Sequence, residues 1–167
     1  LLSALRAGPV LADGAMGSYL FKLTGRLSEA GHVYETFNLE QPELVRRVHT
    51  EYLAAGARAL KTNTFGANRA QLRPFGLEGR VAALNRAGVA VARDAFARFA
   101  AVHPDVGPGY VLASIGPTAA PLTTAAAVAE AYREQVETLV AAGADALEAA
   151  GVGHGGEQDR AGLNRRD

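Results

Sequence analysis

Asp13-Gly14-Ala15-Met16-Gly17 sets one carboxylate directly ahead of a turn carrying two glycines. Backbone N–H groups without bulky side chains around them can approach a ligand carboxylate closely, and the Asp13 carboxylate can pair with an ammonium group. That combination suits an amino-acid ligand. Thr62-Asn63-Thr64 and Ser114 add hydroxyl and amide groups further along the chain. Each has a plainer reading. Asp-Gly favours turns by itself, the threonines suit a strand, Asn63 can cap a helix, and Ser114 precedes a Gly116-Pro117 turn. Specificity comes only from finding them together and in order.

Other chemistries find little support. The chain contains no cysteine, which excludes disulfides and thiolate nucleophiles. Its four histidines, His32, His49, His103 and His154, lack the close spacing of a helical or turn metal site and read as structural or exposed. No serine sits in a G-x-S-x-G elbow. Gly151-Val152-Gly153-His154-Gly155-Gly156 satisfies G-x-G-x-x-G, but no second strand with a ribose-binding acid follows it before Asp167, so a disordered glycine-rich tail is the simpler expectation.

Positioning these groups requires strands that end at them. Val10-Leu11-Ala12 reads as a short buried strand ending at Asp13, and residues 59–64 as a second ending at Phe65-Gly66. Residues 110–115 form a third, and a fourth is expected near Glu148. Between them lie helical patterns. Pro42 and Glu43 mark a helix start, Leu44, Val45, Val48 and Tyr52 share one face, and Gly56 stops it. Leu77, Val81, Leu84, Gly88, Val91, Ala95 and Phe99 form the stripe of a long helix closed by His103-Pro104. A further helix over residues 125–142 is expected to bury Val128, Tyr132, Val136, Leu139 and Val140. AAGARALKT (54–62) and AAGADALEA (141–149) match in helix end, glycine stop and following strand, which points to one unit used repeatedly.

Strands alternating with amphipathic helices predict a parallel α/β fold. A doubly wound sheet fits the length, whereas a complete (β/α)₈ barrel needs about 250 residues. Both architectures build sites at C-terminal strand ends, where Asp13, Asn63, Thr64, Ser114 and Glu148 fall. At 167 residues with 49% hydrophobic content, one domain is the default. The 17 basic and 17 acidic side chains form no long run of one sign, so neither nucleic acid nor a membrane surface is expected as partner. No apolar stretch approaches the roughly 20 residues of a bilayer span, and a soluble cytoplasmic protein is expected.

DGAMGS, FNLEQPELVRRVHTEYLAAGA (37–57), TNTFGANRAQL (62–72), GLEGRVAALNRAGVAVAR (76–93) and ASIGPT (113–118) together resemble the homocysteine S-methyltransferase family, in particular the branch fused to a methylenetetrahydrofolate reductase. The resemblance implies the N-terminal half of a (β/α)₈ TIM-type barrel, truncated, over residues 1–148. Residues 149–167 then form a tail foreign to the family. It also implies methyl transfer from a donor to the homocysteine thiol, giving methionine. By match to the family's motifs, Asp13 and the loop Gly14, Ala15, Met16 and Gly17, with Asn63, Thr64 and Ser114, are expected to bind substrate.

Family members use a zinc ion held by three cysteines to ionise the homocysteine sulfur. With no cysteine, this chain is expected to bind no zinc and to be inactive alone, and an open half-barrel would self-associate. Two departures from the family stand out. Lys61 occupies a position where relatives usually carry glutamate. After Gly143-Ala144-Asp145, relatives run to a Glu-Thr pair that holds the substrate amino group, and Glu148 falls too early to match it. The glycine- and arginine-rich sequence that follows reads as a frameshift or truncated gene.

Overall fold

The computed structural model describes residues 1–26, 33–118 and 124–149. A first helix, α1 (Leu2–Ala7), buries none of its residues. Beyond it, the predicted first strand is reduced to a single parallel bridge between Ala12 and Ala59, flanked by N–H groups of Arg58 and Ala59 donating to the Leu11 carbonyl at 2.8 and 3.1 Å. Pro9 cannot donate to a ladder and Gly14 begins the turn, so too few residues remain for a longer strand. Helix α2 (Met16–Thr24) follows and stops at Gly25.

A 3₁₀ turn at Tyr34–Thr36 leads through the short α3 (Phe37–Glu40) into α4 (Pro42–Ala54), which has proline in its first turn as expected. Strand β1 (Ala59–Lys61) is followed by α5 (Arg69–Leu72), 3₁₀ turns at Arg73–Phe75 and Glu78–Arg80, and the 22-residue α6 (Val81–Val102). Strand β2 (Tyr110–Ile115), helix α7 (Ala125–Ala141) and strand β3 (Ala146–Ala149) complete the described elements. The predicted second strand is shorter than expected, because at Thr62 the chain turns, with the Thr64 N–H donating to the Thr62 carbonyl at 2.9 Å. Asn63 caps no helix. Asn68 does, its side chain accepting the Gln71 N–H.

The three strands lie parallel in the order β1-β2-β3, with the Ala12 bridge on the outer side of β1. Sequential order with right-handed crossovers puts every connecting helix on one face. A doubly wound sheet instead reverses its order partway. The observed order therefore decides for a partial barrel. Leu60, Val111, Ala113 and Ile115 form the helix-facing side, packed with Leu53 of α4, Val89, Ala92, Ala95 and Phe99 of α6, and Leu139 of α7. By strand alternation Lys61, Leu112, Ser114 and Glu148 point the other way, toward the barrel interior.

The repeated sequence is a repeated structure. Gly56 (φ 104°) and Gly143 (φ 87°) both adopt the left-handed conformation that favours glycine. In each case the glycine N–H bonds back three residues and the next N–H bonds back five, the Schellman stop that feeds α4 into β1 and α7 into β3. The helix stripe predicted from Leu77 to Phe99 is buried throughout. In α7 the outcome differs. Val140 is 58% exposed whereas Gln135 is fully buried, its amide donating to the Thr64 carbonyl at 2.7 Å. That bond offsets part of the cost of burying the amide, while Gln135 Oε1 has no partner among the described residues. The Val128 side chain and the predicted tail from residue 150, glycine motif included, lie outside the described residues. Among the described residues no helix is long and apolar enough to cross a membrane.

Candidate functional site

At the C-terminal ends of the strands a cleft of about 320 Å³ opens, lined by residues 14–18, Lys61, Thr62, Phe65, Ser114 and Glu148. Its first wall is the turn after the Ala12 bridge. Tyr52 of α4 holds that turn, its hydroxyl donating to the Ala15 carbonyl at 3.2 Å, and a Cβ on Gly14 would lie 2.7 Å from the same hydroxyl oxygen. Burial first, and the Asp13 charge second, push the Tyr52 phenol above its ordinary pKa, which keeps it protonated as a donor. Among the described residues no side chain caps α2, which leaves the N–H groups of its first turn for solvent or a ligand.

Asp13 is placed differently from Gly14, Ala15, Met16 and Gly17. Its side chain is 1% exposed, its Oδ1 accepts the Lys61 N–H at 3.0 Å, and its Oδ2 lies 3.7 Å from His49 Nδ1. It sits beneath the turn and does not line the cleft. Asn63 and Thr64 are likewise buried. Asn63 spends both amide hydrogens on the Tyr34 carbonyl and Asn38 Oδ1, at 2.7 and 3.0 Å. Thr64 donates to the Ser114 carbonyl at 2.8 Å, and Thr62 Oγ1 accepts the Ser114 N–H at 3.1 Å. The 2.6 Å contact between the two threonine hydroxyls must therefore be donated by Thr62, since Thr64 has already given its single proton. These bonds lock β1 to β2 behind the cleft.

Of the predicted site residues the structure brings Gly14, Ala15, Met16, Gly17 and Ser114 together around the cleft, and sets Asp13, Asn63 and Thr64 in the layer supporting it. Ser18, Lys61, Thr62, Phe65 and Glu148 complete the lining. Glu148 is already expected from the sequence at a strand end, and strand parity could have added Lys61. In parallel pairing Glu148 sits opposite Ser114 on the interior face, and Ser114 Oγ donates to Glu148 Oε2 at 3.3 Å. The cleft thus carries one acid, one base, the hydroxyl residues Ser18, Thr62 and Ser114, backbone donors of the first turn of α2, and the apolar Met16 and Phe65. That inventory matches a small zwitterion with an apolar arm.

Glu35 lies outside the lining but braces it. Its buried Oε1 accepts the Gly66 N–H at 2.7 Å, next to Phe65. Burial pushes the carboxyl above its ordinary pKa, and the Gly66 hydrogen bond pulls partly against that shift. A second cleft, about 390 Å³, lies at the opposite strand ends between Arg58, Phe99, His103 and Asp105. In parallel barrels that face serves stability, not chemistry.

The family described as homocysteine S-methyltransferase matches residues 10–151. Methionine synthase from Mycobacterium tuberculosis is 33% identical over 154 residues, which cover 88% of this chain and 13% of that protein. Homocysteine S-methyltransferase from Escherichia coli is 33% identical over 150 residues, covering 83% of this chain and 48% of the relative. The chain thus spans about half or less of the relatives it matches. Among solved structures, the metallated form of the homocysteine methyltransferase MmuM from Escherichia coli superposes with a TM-score of 0.78 at 30% identity, over 88% of this chain and 55% of that one. Its oxidized form gives 0.77 at 31% identity.

Proposed function

This chain belongs to the homocysteine S-methyltransferase family, and we propose that its cleft holds the amino-acid end of homocysteine for methyl transfer from a donor to the sulfur. The observation that carries this reading is the convergence of residues 14–17, Ser114 and Glu148 on one cleft at the C-terminal strand ends. Glu148, oriented by Ser114, takes the ammonium group. The uncapped first turn of α2 offers N–H groups to the carboxylate, and Met16 with Phe65 flanks the thiol-bearing arm. Asp13 acts from beneath, holding the turn in register with β1.

A thiol of ordinary pKa, about 8.5, is mostly protonated at neutral pH and a weak nucleophile. In the family zinc supplies the thiolate. The residues here do not fit that ion: there is no cysteine in the sequence, and among the described residues no group of three His, Cys, Asp or Glu side chains could hold a metal. The chain by itself accordingly binds homocysteine without completing methyl transfer.

Calorimetric titration with L-homocysteine tests this. Binding is expected for the chain and at least about tenfold weaker binding for Glu148→Gln, the loss of one charge-assisted hydrogen bond. Methionine formation by the purified chain would overturn the inactive reading, and absence of homocysteine binding would overturn the site.

A second reading is favoured by one observation. Among the described residues β3 pairs only with β2, leaving an edge with Leu147 43% exposed. A second copy pairing along that edge would cover it. Light scattering distinguishes the two states: a concentration-independent monomer rules the pairing out.

A further inference from the structure

We propose that Lys61 recognises the carboxylate of the amino-acid substrate, facing Glu148 across the cleft. The assignment deepens the amino-acid reading above and rests on it.

Leu60 is fully buried against the helices, so strand alternation turns Lys61 to the opposite, interior face, where it lines the cleft. Its backbone is fixed, because its N–H donates to Asp13 Oδ1 at 3.0 Å. The same bond ties Lys61 to the residue preceding Gly14, so the side chain and the glycine turn belong to one end of the cleft. Among the described residues no carboxylate lies within ion-pair distance of the Lys61 ammonium. Asp13, the nearest acid in the bonding pattern, points its second oxygen at His49.

Glu148 stands at the other end. Lys61 pairs with Leu112 in the register and Glu148 with Ser114, so β2 separates them. Two strand spacings, with the two-residue offset from Leu112 to Ser114 along β2, put their backbone positions about 12 Å apart. The two charges are thus set apart across a gap, and no ion pair joins them. A zwitterion satisfies both, an amine alone satisfies only Glu148, and a carboxylic acid alone satisfies only Lys61.

Three thiols separate these terms: L-homocysteine, 3-mercaptopropylamine, which lacks the carboxylate, and 4-mercaptobutyrate, which lacks the amine. Each is titrated into the 167-residue chain and its Lys61→Met and Lys61→Arg variants, with thermal melting to verify folding. Lys61→Met is expected to weaken L-homocysteine and 4-mercaptobutyrate about tenfold or more and to leave 3-mercaptopropylamine unchanged, with Lys61→Arg restoring most of the loss. Unchanged homocysteine affinity in Lys61→Met, while Glu148→Gln weakens it, overturns the assignment and leaves the amino-acid site standing. Equal loss for all three thiols means that Lys61 shapes the cleft without reading the carboxylate, and also overturns it. If the unaltered chain binds none of the three, the amino-acid reading itself fails and takes this assignment with it.

Discussion

His49 Nδ1 lies 3.7 Å from Asp13 Oδ2, with the histidine side chain fully buried and the aspartate side chain 1% exposed. Among the described residues neither histidine nitrogen has a hydrogen-bond partner, and the aspartate lies at ion-pair distance from Nδ1. An acid that looks from sequence like a ligand for a substrate ammonium therefore serves as an anchor between α4, β1 and the glycine turn.

Asp13→Ala strips the acceptor from the Lys61 N–H and is expected to cost about 1–3 kcal/mol, the penalty of a buried donor left unpaired. Asp13→Asn keeps an amide oxygen for that N–H and should cost less than half as much. Urea denaturation of both variants measures the difference. Equal stability of Asp13→Ala and the parent chain would remove the anchoring role.

Gly14 and Tyr52 should be energetically coupled. A Cβ at Gly14 would sit 2.7 Å from the Tyr52 hydroxyl oxygen and 3.1 Å from two ring carbons. Gly14→Ala is expected to destabilise by about 1–3 kcal/mol through overpacking, and by less in a Tyr52→Phe background, where the nearest atom is gone. A double-mutant cycle with a coupling below about 0.5 kcal/mol would show that the turn simply moves aside.

In the middle of α6, Gly88→Ala sets two effects against each other. Helix propensity favours alanine by about 1 kcal/mol. The new Cβ, however, would stand 2.5 Å from Thr64 Cγ2 and 2.9 Å from Asn38 Nδ2. Neither neighbour is free to move, since Asn38 bonds the Asn63 and Leu84 carbonyls and Thr64 bonds the Ser114 carbonyl. Overpacking of about 1–3 kcal/mol should win, giving a lower melting temperature. A higher one would mean that α6 shifts without loss.

Glu35 gives a pH signature. Burial raises its folded-state pKa above the ordinary 4.5, so the folded chain holds this proton longer than the unfolded chain does. The stability this contributes is fully present below 4.5 and is lost as pH rises through the folded value. Glu35→Gln retains an acceptor for the Gly66 N–H and has no such titration. The stability of Glu35→Gln relative to the parent should therefore increase from acid to neutral pH, read by denaturant midpoints at several pH values. A difference that stays flat with pH would count against the buried carboxyl.

Much of the fold was legible because its signals are local. The Leu77 to Phe99 stripe has helical spacing, Pro42 and Gly56 punctuate α4, and the two AAGA segments carry the same glycine stop. The burial of Asn63 and Thr64 was not legible, because polar residues at a strand end look the same in sequence whether they face a ligand or another backbone. Asn63 turns to Tyr34 and Asn38, which lie 29 and 25 residues away in sequence. Nothing in the local sequence marks Gln135 as a buried residue, because the carbonyl it satisfies belongs to Thr64, 71 residues earlier.

By itself the sequence determined the alternation of strands and helices, the family resemblance and the absence of thiolates. These follow from periodicity, from turn chemistry and from composition, none of which needs a distant partner. Only the tertiary structure decided that the sheet runs in sequential order, that Asp13 lies beneath the cleft, and that Lys61 and Glu148 line it from opposite sides. Each of those is a relation between strands brought together from far apart in the chain, set by parallel register and by which face the helices bury.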